Sequence, residues 1–74
     1  MTVIIAKNPV GKRYRLTVED DGTRVKQIKI TGVAPTWIQQ RVNTYRITKP
    51  DYQNALALLK AELIRHGELE SITA

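Results

Sequence analysis

The polar and apolar positions of KRYRLTVE, residues 12–19, alternate: Tyr14, Leu16 and Val18 share one parity, and Arg13, Arg15, Thr17 and Glu19 share the other. That period of two predicts a half-buried β-strand. The strand runs into Asp21-Gly22, a dipeptide favoured at two-residue hairpin turns because both positions need positive φ. RVKQIKIT, residues 24–31, is the predicted return strand, but its apolar positions change parity between Val25 and the pair Ile28 and Ile30. One extra residue near Lys26-Gln27, a β-bulge, would place Val25 opposite Val18, Ile28 opposite Leu16 and Ile30 opposite Tyr14. A five-residue loop would serve the isoleucines equally. Upstream, the apolar run in TVIIAK, residues 2–7, predicts a buried strand, and Asn8-Pro9-Val10-Gly11 supplies turn chemistry between it and the hairpin.

Downstream of the hairpin the period changes. Tyr52, Leu56, Leu59 and Leu63 recur at helical spacing with Ala55 beside them, predicting an amphipathic helix over 49–66 that covers one face of the sheet. Thr48 followed by Asp51 resembles a capping box, and Gly67 is placed to close the helix. Leu58 and Ile64 fall beside the stripe. Between hairpin and helix, TWIQQRVNTYR, residues 36–46, is mixed. Ile38, Val42 and Tyr45 fit a helical stripe, and Thr36 with Gln39 has capping-box spacing. Val42, Thr44, Ile47 and Thr48, however, are β-branched. A short helix or irregular segment over 36–44 is expected, with a fourth strand over 41–48 as the alternative and Trp37 as a core anchor.

The fold class is therefore α+β: a three-stranded antiparallel sheet, or a four-stranded one, with a C-terminal amphipathic helix on one face. Residues 1–67 are expected to form one domain. The tail, residues 68–74, is read as flexible or as a short edge strand. Three antiparallel strands followed by a helix, over roughly residues 2–66, form an order that resembles the arm-site DNA-binding domains of tyrosine integrases and the plant-type AP2 domains. Both families read the major groove with a sheet. The resemblance is one of element order, and residues 33–47 fall outside it.

Composition narrows the chemistry. The sequence has 74 residues, no Cys and one His, so a thiolate or ordinary histidine metal site is not expected, nor is a cofactor. His66 sits beside the helix-closing glycine, where the helix dipole favours a cation, and the four glycines are scattered turn and cap positions. An enzyme is not expected. The longest N-terminal apolar run is too short for a membrane span or signal peptide, so no membrane partner and a cytoplasmic location are expected.

Charge is the most informative bulk property. The net charge is +5, and it is uneven: residues 1–49 hold ten Lys and Arg against three acids, whereas residues 50–74 hold two against four. Such asymmetry suits an anionic partner. Arg13, Arg15, Arg24, Lys26 and Lys29 of the hairpin, extended by Arg41 and Arg46, are the candidate contacts to DNA or RNA. A small accessory or regulatory nucleic-acid-binding module is the leading expectation. The alternative is a phage- or plasmid-type adaptor or inhibitor that docks on a larger protein of transcription or replication through Trp37, Leu58 and Ile64. Self-association into a homodimer is a third reading.

Overall fold

The computed structural model describes residues 1–73. Its element order is β1 (Thr2–Lys7), β2 (Arg13–Asp20), β3 (Val25–Gly32), α1 (Thr36–Thr48), α2 (Tyr52–Arg65) and β4 (Leu69–Thr73). All strand pairs are antiparallel, and the sheet runs β3-β2-β1-β4. The fold is α+β, as expected. The fourth strand is the tail rather than residues 41–48, so the sheet extends beyond the expected boundary at residue 67; Ala74 of that tail lies outside the described residues. Two helices and a returning strand also separate this order from the integrase and AP2 pattern.

Both helices lie on one face of the sheet. Ile4 and Ala6 of β1, Tyr14, Leu16 and Val18 of β2, and Ile28 of β3 are buried, and they join Ile38, Val42 and Tyr45 of α1 and Ala55, Leu59 and Leu63 of α2 in one core. TVIIAK is thus buried on one side only, because Val3 and Ile5 point away from the helices and remain half-exposed. Burying a side chain the size of Leu or Ile contributes about 1.5–3 kcal/mol. That gain outweighs the few tenths of a kcal/mol that β-branching costs a helix, which explains why α1 continues to Thr48. The hydroxyls of Thr44 and Thr48 donate back to the carbonyls of Gln40 and Thr44, at 3.0 and 2.9 Å.

The expected caps shift. Pro35, not Thr36, is the residue before α1, without a side-chain cap; Gln39 donates its side-chain amide to the Ala34 carbonyl at 3.0 Å. Lys49 adopts a left-handed conformation and ends α1, and Pro50 prevents its continuation. Thr48 therefore belongs to α1, and Asp51 caps α2 by accepting from the Asn54 amide at 3.1 Å. At the other end Gly67, at φ 70°, turns the chain. The Gly67 and Glu68 amides donate to the Ile64 and Leu63 carbonyls, a Schellman closure that delivers β4 to the edge of β1.

The hairpin also differs in detail. Residues 21–24 form its loop, with Asp21 accepting from the Thr23 and Arg24 amides at 3.2 and 2.9 Å. The Arg24 and Thr23 amides hold the Asp21 carboxyl below its ordinary value. Val25 pairs with Asp20 and Gln27 with Glu19, so Lys26 is the bulged residue expected near this point. The longer loop displaces the register by two, placing Ile28 opposite Val18, Ile30 opposite Leu16 and Gly32 opposite Tyr14. An even displacement preserves the parity on which the core depends. The Pro50 carbonyl and Tyr52 amide bond to Val25 and Thr23, fastening the interhelical link to this loop.

Two positions tie β1, β2 and β4 together. Asn8 is buried, accepts from the Val10 and Lys12 amides and donates to the Val33 carbonyl, which fixes the β1–β2 turn. Tyr14 Oη donates to Glu68 Oε1 at 2.6 Å in the core, a length typical of a charge-assisted bond.

Two outcomes test this packing. Gly32 has φ 93°, and an added Cβ would stand 2.8 Å from the Arg13 carbonyl oxygen; Gly32→Ala should lower stability by about 1–3 kcal/mol in denaturant titration. Burial, then the bond to Glu68 and its negative charge, push the Tyr14 hydroxyl well above its ordinary value. The unfolded phenol ionises near pH 10, so its contribution is intact below that pH and lost as pH rises beyond it. Tyr14→Phe should cost about 1–3 kcal/mol at neutral pH and flatten the loss of stability above about pH 10, as measured by urea melts across that range.

Candidate nucleic-acid interface

With both helices on one side, no element among the described residues covers the opposite face of the sheet. Alternation assigns its side chains. Lys7 and Arg13 are paired across β1 and β2, Ile5, Arg15 and Thr31 form the next row, and Val3, Thr17 and Lys29 the row after that. Lys7, Arg13, Arg15 and Lys29 consequently run diagonally across three strands, over roughly 16 Å at ordinary strand spacings. All four residues are exposed.

One end of this diagonal is partly neutralised. Glu70 of β4 pairs with Arg13 Nε at 2.9 Å and Lys7 Nζ at 3.3 Å. Desolvation alone would raise the Glu70 carboxyl, but the hydrogen bonds and charges of Arg13 and Lys7 outweigh it and hold it below its ordinary value. Among the described residues no salt bridge engages Arg15 or Lys29. They stand at the centre and far end of the stripe, and alternation puts Glu19, paired with Gln27, on the same face in the row beyond Lys29.

The remaining expected cations are elsewhere. Arg24 is exposed in the hairpin loop, and its backbone forms a bridge with Asp51. Lys26 is exposed at the bulge, bordering a depression with Met1, Glu19 and Asp20, so acids surround it. Arg41 pairs with Glu62 at 2.9 Å and joins α1 to α2. Arg46 donates to the Ile28 carbonyl at 2.6 Å and weakly to Asn43, holding α1 against the edge strand β3. Arg41 and Arg46 are thus engaged on the helical side, away from Arg13, Arg15 and Lys29 on the open face. Lys7 joins the stripe although the apolar run before it gave no parity; its pairing with Arg13 supplies the missing signal.

Trp37, Leu58 and Ile64 do not form one patch. Trp37 packs against the border of the core, half-buried rather than central, and stacks on His66 with ring centroids 4.2 Å apart and planes 10° from parallel. Leu58 and Ile64 are 55% and 58% exposed, but six residues of helix set them about 120° apart. Trp37 and His66 instead border a cleft of about 350 Å³ between the helices, together with Gln40, Arg41, Glu62 and Arg65. Among the described residues no three His, Asp or Glu side chains meet in a metal-holding group, and no helix is long and apolar enough to cross a membrane.

No family model, curated protein or solved structure matches the chain.

Proposed function

We propose that the chain is a nucleic-acid-binding module whose contact surface is the uncovered face of the sheet. The observation that carries this reading is the diagonal of Lys7, Arg13, Arg15 and Lys29, of which Arg15 and Lys29 take part in no salt bridge among the described residues. Guanidinium and ammonium groups release condensed counterions when they neutralise phosphates, and this release is the main sequence-independent source of affinity. Thr17 and Thr31 lie between the cations and offer neutral hydroxyls to phosphate or sugar oxygens. The two-layer packing beneath holds the backbone of the stripe at fixed spacings, so on binding the side chains are ordered but the strands are not. Arg13 is already oriented by Glu70. Arg24 and Lys26, at the end of the hairpin, lie outside the stripe and act through the long-range field.

Three to four phosphate contacts imply a slope of about −3 in a plot of log affinity against log salt, or about sixtyfold weaker binding over a fourfold rise in salt. Anisotropy titration of a labelled oligonucleotide measures this directly. Arg15→Ala and Lys29→Ala should each reduce the slope by about 0.9, whereas Arg41→Gln should leave the slope unchanged and lower stability instead. A slope near zero, or an equal loss on Arg41→Gln, is incompatible with the proposed surface.

A further inference from the structure

Building on the reading of the open face as a nucleic-acid surface, we infer that the partner is double-stranded and is gripped on its sugar–phosphate backbone. The first ground is the position of the aromatic residues. The sequence contains one Trp, three Tyr and no Phe, and all four rings belong to the helical side. Tyr14 is in the core and bonded to Glu68, and Tyr45 is buried in the face of α1. Tyr52 shares a hydrogen bond with Thr2 near the start of α2, and Trp37 is stacked on His66. An unpaired strand presents free base faces, and proteins that hold such strands supply rings for them to stack on. Here the apolar contributions to the open face are the half-exposed Val3 and Ile5, which offer no π-surface. In a duplex the bases are already stacked on one another, so the lack of rings costs nothing.

The second ground is dimensional. Four strands span about 14 Å between outer strand axes, wider than the roughly 12 Å major groove and far wider than the roughly 6 Å minor groove of B-form DNA. The face therefore lies across the groove rims, and its long basic side chains reach the phosphates. Over about 16 Å of helix axis one strand of a duplex carries about five phosphates, wound through about half a turn, so the four cations of Lys7, Arg13, Arg15 and Lys29 suffice for those that face the sheet. Contacts confined to the backbone carry little sequence information, so affinity should vary little between duplexes of different sequence.

The test compares one labelled DNA oligonucleotide and one labelled RNA oligonucleotide, each single-stranded and annealed to its complement, by anisotropy at low salt with the intact chain. At least one annealed duplex should bind about tenfold or more tighter than its component strands, and a shuffled duplex should bind within a few-fold of it. An unpaired strand that binds as tightly as its duplex overturns the inference while leaving the nucleic-acid reading of the face intact. Failure of all four to bind overturns both. Thr31→Tyr, which sets a ring beside Arg15 on the open face, is the complementary variant. It should raise single-strand affinity about fivefold or more and change duplex affinity little. A folded Thr31→Tyr protein without that gain would show that stacking surface is not what the face lacks, and would overturn the inference.

Discussion

Ile4, Ala6, Tyr14, Leu16, Val18 and Ile28 all point to the same side of the sheet, and the two helices close over them. Because successive side chains of a strand face opposite ways, this one-sided burial fixes the register, the position of the bulge and the composition of the other face together. A slip of β3 by one residue against β2 would expose Ile28 and bury Lys29, exchanging a core isoleucine for an uncompensated charge. The even displacement actually found, with Ile28 opposite Val18, is the kind the core tolerates. Arg13, Arg15 and Lys29 therefore stand together as a consequence of where the isoleucines and leucines must go.

The edges of the sheet are held by polar contacts suited to their places. At β3, Arg46 donates to the Ile28 carbonyl and the Pro50 carbonyl accepts from Val25, so one edge is braced by the helical layer. At β4, Glu68 accepts from buried Tyr14 and Glu70 pairs with Lys7 and Arg13. Glu68, just before β4, thus enters the core while Glu70 within it reaches the open face, and the register irregularity lies between Ile5 and Ala6 of β1. Glu70 lowers the net charge at one end of the stripe while holding Arg13 in place, whereas Arg15 and Lys29 form no salt bridge among the described residues.

Much of this was legible in the residues and some was not, for identifiable reasons. The alternation of residues 12–19 and the stripe of Tyr52, Leu56, Leu59 and Leu63 carried strong periods, and both elements form, with the buried face of α2 centred on Ala55, Leu59 and Leu63 and with Tyr52 and Leu56 half-buried at its border. Residues 36–48 carried opposing signals, and burial of Ile38, Val42 and Tyr45 decided for helix over the weak preference of β-branched residues. The tail had too little pattern of its own, since β4 depends on pairing with β1 and on the buried Glu68 contact, neither of which is local in sequence. Among the candidate site residues, Arg13 and Arg15 followed from parity, whereas which of Arg24, Lys26 and Lys29 joined them depended on the bulge, and its place at Lys26 selects Lys29. Arg41 and Arg46 were indistinguishable from surface cations until their partners, Glu62 and the Ile28 carbonyl, came into place. Lys7 was missed because a continuous apolar run conceals which side its neighbours take.

The central claim is that one face of the sheet, and not the helical layer, meets the phosphate backbone. Two-dimensional NMR of the amide groups during titration with a short duplex addresses it most directly. Shifts should concentrate on Lys7, Arg13, Arg15, Thr17, Lys29 and Thr31, with α1 and α2 nearly silent. Shifts concentrated instead on Trp37, Arg41, Arg65 and His66 around the interhelical cleft would contradict it.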